Sequence, residues 1–272
     1  MTDQTPTPRR RRLRLAAAGV AGLVPLVPVL IGLLLSAGGG ATAATTRAPA
    51  TVATHFDPIN TPPKARLQNL LLPPGPGALV AAIQHPTGLR SAPGGRVFAR
   101  LATRTEFGSP EVLWVAKLSG RWLGVVSPQA GNGRLGWILA SDASLSRVDW
   151  QIRVSLSHHR LRVLRNGRTV RTFTVAVGMP SAPTPTGRFA VTDRLNTGDP
   201  SGPYGCCIVA LSAKAPHAIQ DWSGGNRIAI HSTPETWTIG ENASHGCLRL
   251  TLAEGQWLLD HIPLGTPTLI AA

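Results

Sequence analysis

The chain is short of most of what builds an ion-paired surface or a disulfide scaffold. Of its 272 residues only 13 are acidic and only Lys64, Lys117 and Lys214 are lysine, so 24 of the 27 basic residues are arginine. The formal charge of +14 suits an anionic partner (nucleic acid, lipid head groups or an acidic wall polymer), or records a GC-rich coding bias. No nucleic-acid recognition motif accompanies that charge, so nucleic acid is not supported as a partner. Cysteine occurs three times, at 206, 207 and 247. An odd count excludes a complete disulfide framework and, in an exported protein, leaves a reactive thiol to account for. Tyrosine occurs once, at Tyr204. Glycine (29) and proline (24) are plentiful, which favours β-structure, turns and linkers over a helical bundle.

One long apolar run stands out against this background. Arg9–Arg12 and Arg14 precede 23 uncharged residues, Leu15 to Ala37, a length that can span a bilayer. The basic cluster keeps the N-terminus cytoplasmic and sends the remainder outside. Ala41-Thr42-Ala43 would suit signal cleavage, but the run is long for a cleaved signal, so a retained anchor is the favoured reading. Residues 1–43 are therefore expected to be a basic tail and a signal or anchor helix. Residues 44–86, rich in Ala, Thr and Pro, are expected to be a semi-extended spacer. Everything beyond works outside the cytoplasm.

Short β-runs separated by glycine fill residues 87–145. Val112–Leu118 alternates, Ser119-Gly120 turns into Arg121–Val126, and Gly131-Asn132-Gly133 leads to Gly136-Trp137-Ile138. About five short strands in so little chain imply a small barrel. Its Trp122/Trp137 spacing resembles bacterial Src-homology-3-like domains, which implies wall binding or positioning of a catalytic domain.

From residue 148 to the C-terminus the pattern stays mostly β. Ile152, Val154 and Leu156 alternate, as do Leu161 and Val163, and Asn166-Gly167 is a hairpin turn. The proline- and glycine-rich segment 192–225 reads as a long loop, Asn226–His231 as a strand, and Thr268–Ile270 as a closing edge strand. Thr251 and Glu254 have the spacing of a capping box, which opens a helix to about Ile262 with Leu258, Leu259 and Ile262 on its buried face.

The chemistry concentrates in Ser244-His245-Gly246-Cys247-Leu248-Arg249, with His231 sixteen residues before Cys247. A thiol with an ordinary pKa near ~8.5 is mostly protonated at neutral pH. A histidine within reach solves this by forming a thiolate–imidazolium pair. No Asp or Glu lies at an obvious spacing to orient His231, so a backbone carbonyl is expected to do so. Gly246 leaves the backbone free to aim N–H groups of residues 245–247 at an oxyanion, and Ser244 is expected to brace the loop. A zinc site from His231, His245 and Cys247 would lack a fourth ligand, so no metal or cofactor is expected. The adjacent Cys206 and Cys207 could close only an uncommon eight-membered ring. They are expected to be reduced, at least one as a small buried apolar side chain; a redox switch is the alternative.

"Ile-His-Ser-Thr … Ser-His-Gly-Cys-Leu-Arg-Leu", together with Thr184-Pro185-Thr186-Gly187-Arg188-Phe189 region, resembles the L,D-transpeptidases (YkuD-like domains) over roughly 148–272. Ser232 departs from the glycine common there. The resemblance implies a β-sandwich-like catalytic domain with one helix after the nucleophile. It also implies a peptidoglycan enzyme of the cell envelope that acylates Cys247 with a tetrapeptide stem, releases D-Ala and passes the acyl group to a second stem. His231 would be the general base and His245 would shape the pocket, while Arg249, Tyr204 and Ser232 would contact the stem. Water as acceptor would give a carboxypeptidase instead. A non-catalytic wall-binding protein and a sortase-like transpeptidase fit less well, the first because His231, His245 and Cys247 are all intact, the second because its histidine lies much further upstream.

Overall fold

The computed structural model describes residues 73–216 and 226–272. The basic tail, the apolar run at 15–37 and most of the expected spacer lie outside them. Among the described residues no helix is long and apolar enough to cross a membrane.

Seven strands form the first sheet: β1 (Ala78–Ile83), β2 (Thr87–Arg90), β3 (Val97–Leu101), β4 (Val112–Ser119), β5 (Trp122–Val126), β6 (Gly136–Leu139) and β7 (Ala143–Val148). Their order is β3-β2-β6-β5-β4-β1-β7, antiparallel throughout. Alternate residues of six strands, among them Leu79, Ala81, Leu89, Leu101, Leu113, Val115, Leu123 and Ile138, meet in one core. The sheet therefore wraps around a single apolar interior, although β3 and β7 are not paired with each other. Trp137 is buried against Gly124 on the face opposite Ile138, and Trp122 is half-buried beneath the guanidinium groups of Arg90 and Arg121.

One boundary differs from the sequence reading. The expected spacer to residue 86 gives way at Ala78 to β1, which lies between β4 and β7. Ala78-Leu-Val-Ala-Ala-Ile is buried along most of its length. A short continuous apolar run is what a central strand looks like in sequence, and the flanking prolines masked it.

The second sheet follows without a break. Its chain contains β8 (Trp150–Ser155), β9 (Arg160–Arg165), β10 (Arg168–Thr174), β11 (Val177–Gly178), β12 (Gly187–Asn196), β13 (Cys207–Lys214), β14 (Arg227–Ser232), β15 (Asn242–Ser244), β16 (Leu248–Leu250), helix α1 (Leu252–His261) and β17 (Pro267–Ala271). Eight strands pair in the order β10-β9-β8-β17-β12-β13-β14-β16, and β11 pairs separately with β15. Asn166 and Gly167 turn β9 into β10 with φ of 49° and 76°, the two left-handed residues a type I′ hairpin demands. The capping box is present: Thr251 Oγ1 accepts from Glu254 N–H, while the Glu254 carboxylate accepts from Thr251 N–H. Leu258, Leu259 and Ile262 are buried beneath it.

Two expectations are corrected here. The loop expected over 192–225 is broken by strand: β12 continues to Asn196 and β13 spans Cys207–Lys214, with residues 197–206 as their connection. Cys207–Ala213 is buried on both faces, so it shows no alternation to read. Residues 268–270 are not an edge strand either; β17 lies inside the sheet, parallel to β8 and antiparallel to β12.

The two sheets meet through a polar cluster. From the β3–β4 connection Thr105 Oγ1 donates to Asp193 Oδ1, and Glu106 pairs with Arg227. Arg227, itself buried, donates also to Thr192 Oγ1 and twice to the Leu211 carbonyl, at 2.9 and 2.7 Å. Asp193 Oδ2 lies 3.9 Å from Arg227 and makes no hydrogen bond. Burial first, then the negative charges of Glu106 and Asp193, push the Glu111 carboxyl up to about 7, with Arg227 opposing them.

Candidate active site

The site is assembled at the β14/β16 end of the large sheet. These strands run parallel with Ile230 opposite Leu248 and His231 opposite Arg249. Successive side chains alternate between faces. Ala229 and His231 therefore share a face, and Cys247, one step before β16, joins the same side as Arg249. The free thiol and the imidazole thus come from adjacent strands onto one face. Cys247 is 6% exposed and His231 3%.

Each is held by backbone. His231 Nδ1 lies 2.7 Å from the Ser232 carbonyl oxygen. A carbonyl only accepts, so Nδ1 carries the hydrogen and Nε2 keeps its lone pair. Cys247 Sγ accepts the Ala229 N–H at 3.4 Å. The orienter of His231 is thus a backbone carbonyl, in line with the absence of a nearby carboxylate in the sequence.

The thiolate–imidazolium pair expected from the sequence is not the resting state. Burial pushes the Cys247 thiol up to about 11, against the lowering effects of the Ala229 N–H and the Arg249 charge. Burial likewise depresses His231 to about 4, with the Ser232 hydrogen bond opposing and the Arg249 cation reinforcing it. Desolvation penalises the charged form of either group. Burial thus favours a neutral thiol beside a neutral imidazole at neutral pH.

The loop before Cys247 is built for close approach. Gly246 has φ of +113°, and a Cβ there would lie 2.8 Å from Ile228 Cδ1, so backbone conformation and space both require glycine. Ser244 Oγ donates to the Cys247 carbonyl at 2.5 Å and accepts the Gly246 N–H at 3.1 Å. That bond removes Gly246 from the expected trio of oxyanion donors and leaves His245 and Cys247 N–H as candidates. Thr184, named in the sequence only as part of the Thr184–Phe189 motif, donates to the Gly246 carbonyl at 2.9 Å and accepts the Gly178 N–H at 2.9 Å. His245 is exposed at the rim.

The remaining expected residues divide. Tyr204 stands edge-on to His231 with ring centroids 5.0 Å apart, which brings it to the site from the 197–206 connection. Ser232 is corrected: its side chain is fully buried and accepts the Cys207 N–H at 3.1 Å, so it supports the site from beneath instead of facing a ligand. A Cβ on Gly255 would come within 2.8 Å of Ser232 Cβ, which sets how closely α1 approaches. Arg249 is paired with Glu235 at 2.9 Å, while its buried Nε makes no hydrogen bond. Cys206 and Cys207 are also corrected. They are disulfide-bonded to each other, and Cys206 Sγ lies 3.4 Å from Ser232 Oγ. Among the described residues no cluster of His, Cys, Asp or Glu is arranged to hold a metal ion.

Residues 149–270 match the YkuD family model, described as an L,D-transpeptidase catalytic domain. That stretch is similar to the catalytic domain of the YkuD family. L,D-transpeptidase 1 of Mycobacterium tuberculosis is 32% identical over 126 residues, 42% of this chain and 47% of that protein. A putative L,D-transpeptidase YkuD of Bacillus licheniformis is 30% identical over 119 residues, 44% of this chain and 64% of its own. The chain thus spans about half to two thirds of the length of these curated relatives. An L,D-transpeptidase structure from Mycobacterium smegmatis aligns at 21% identity and a TM-score of 0.38, covering 52% of this chain and 68% of that one. Cys247, His231 and Thr184 all lie within the YkuD-like stretch.

Proposed function

We propose that the YkuD-like domain is a peptidoglycan L,D-transpeptidase working through an acyl-Cys247 intermediate. The observation that carries this is the Nδ1–H hydrogen bond of His231 to the Ser232 carbonyl. It leaves Nε2 as an unprotonated base on the face that also presents the one free thiol among the described residues. As Cys247 Sγ attacks the carbonyl between a stem's diamino acid and D-Ala, Nε2 takes the thiol proton. The same proton then goes to the departing D-Ala nitrogen, and a thioester remains. A side-chain amine of a second stem attacks the thioester, restoring the thiol and forming a cross-link. The N–H groups of His245 and Cys247 are suited to the oxyanion of both steps; such donors are each worth ~10²–10³ in rate. Arg249 would exchange Glu235 for a stem carboxylate, which its planar fork can bind with two hydrogen bonds.

The seven-stranded sheet, with its Src-homology-3-like sequence pattern, would position this domain on the wall polymer. The basic and apolar N-terminal run supports work outside the cytoplasm, tethered to or released from the membrane.

The test is the intact mass of the full chain after incubation with a carbapenem, which mimics the acyl donor. One covalent adduct is expected. It disappears in Cys247→Ala and persists when Cys206 and Cys207 are both changed to Ala. Absence of any adduct on the unaltered protein would overturn the reading. With a purified tetrapeptide stem, a cross-linked dimer marks transfer, and a shortened stem alone marks hydrolysis.

A further inference from the structure

Four to six strands away from β16, the outer face of the large sheet presents a different chemistry. Register places Arg188, Leu269, Arg153, Arg162 and Thr172 in one row across β12, β17, β8, β9 and β10. The next row holds Ala271, Ser155, Arg160 and Thr174. Between them opens a pocket of about 480 Å³ lined by Arg153, Ser155, His158, Arg160 and Arg162, with Leu269 on its floor. His158 is tied to Ser155 Oγ through Nδ1 at 2.9 Å.

Arg153 stands directly opposite Arg162. Like charges at directly opposed positions of a sheet are destabilising, and no carboxylate relieves these. Arg165, Arg227 and Arg249 each have an acidic partner. Arg153, by contrast, donates only to Gln151 Oε1, and Arg160, Arg162 and Arg188 have no ion-pair partner among the described residues. The pocket thus gathers Arg153, Arg160 and Arg162, three guanidinium groups without an acidic partner among the described residues.

We propose that this pocket binds a phosphodiester anion, with Arg153, Arg160 and Arg162 as its ligands. Guanidinium groups form paired hydrogen bonds with planar carboxylates and with phosphates alike. Three forks arriving from two strands oversupply a single carboxylate, whose two oxygens lie in one plane. They fit the oxygens of a phosphate, which spread in three dimensions. The phosphodiester could belong to a wall polymer or to a lipid head group; the chemistry is shared and the experiment separates the sources. The site is independent of the acyl-transfer reading, since it lies at the other end of the sheet and contributes nothing to Cys247.

The test titrates the full chain with a synthetic glycerol-phosphate oligomer by calorimetry, and sediments it with phosphatidylglycerol or phosphatidylcholine vesicles. Saturable binding to the oligomer, or to the anionic vesicles over the neutral ones, is expected; the first result names a polymer as source and the second a membrane. With about three phosphate contacts, counterion release should weaken binding roughly 20- to 40-fold between about 50 and about 200 mM salt. Changing Arg153, Arg160 and Arg162 together to Gln should reduce affinity at least tenfold. Changing the exposed Arg96, Arg134 and Arg168 to Gln removes the same charge elsewhere and should leave it within about twofold. The pocket variant should melt no lower than the parent, because it loses a repulsion. Equal loss in both variants, a lower melting temperature of the pocket variant, equally tight polyglutamate binding, or no binding to either phosphodiester source would each overturn the proposal.

Discussion

Two buried polar clusters in this chain obey the same electrostatics and end in opposite states. At the active site, Cys247 and His231 are both sealed from water, and each is given one backbone partner that suits its neutral form. At the junction of the sheets, Glu106, Glu111 and Asp193 face a single arginine, Arg227, and one carboxylate oxygen of Asp193 is left without a hydrogen bond. Burial lowers His231 to about 4, raises Cys247 to about 11, and raises Glu111 to about 7. At the site the shifts keep a base and a nucleophile uncharged over the neutral range. At the junction they leave a carboxyl that titrates within it. What separates the proposed catalytic pair from a pH-sensitive joint here is the number of charges sharing the space.

The comparison breaks most sharply at His231. His231→Gln keeps a side chain of similar reach but supplies no base, so carbapenem acylation of Cys247 should slow by ~10²–10⁴. Stopped-flow absorbance of the β-lactam measures this directly. In the parent protein the acylation rate should stay level across neutral pH and fall only as the pH approaches about 4, where His231 takes a proton. A break near the ordinary histidine value of about 6.5 would instead mean a solvated imidazole or a resting ion pair.

Next in size is Arg227. Arg227 is the only cation paired with this cluster among the described residues, so Arg227→Met leaves the buried Asp193 without a counter-charge, while the exposed Glu106 stays solvated. Removing one partner of a buried pair is expected to destabilise by about 3–5 kcal/mol, read as the urea midpoint at pH 7. The variant that remains folded should still acylate Cys247, because the two clusters share no residue. Coupled loss of both would show that they act as one unit.

How far these features could be read from sequence depends on how local their causes are. The His231/Cys247 pair, the Asn166-Gly167 hairpin and the Thr251/Glu254 cap were legible because each is set by residues within a short stretch or a recognisable motif. Strands β1 and β13 were hidden because continuous apolar runs such as Cys207–Ala213 carry no period, and neighbouring prolines and glycines argue for loops. The junction was invisible for a different reason: Arg227 and Glu106 are 121 positions apart, and neither carries a local mark of the other. Ser232 was misread as a ligand contact because its motif position says nothing of which way a β-strand residue faces. The resting protonation of the site was misread because desolvation is a property of the assembled fold.

The smallest effect isolates the junction's titrating group. Glu111 has a folded value of about 7, raised above the ordinary carboxylate value of 4.5. A raised group contributes stability that is complete below its unfolded pKa and lost as pH climbs through the folded one. Stability should therefore decline between about pH 4.5 and about 7 by up to about 3 kcal/mol, the equivalent of that shift. Glu111→Gln holds the neutral form at every pH, so its denaturation midpoint should lack this slope and exceed the parent's at pH 8, while matching it near pH 4. His231 acts in the opposite sense, because a depressed group contributes stability above its unfolded value of about 6.5 that is lost as pH falls towards 4. The two slopes partly cancel between about 4.5 and 6.5, so the Glu111 contribution should emerge most cleanly between 6.5 and 7.5. A parent and variant with parallel midpoints across that window would mean that Glu111 stays ionised, its charge matched by Arg227 after all.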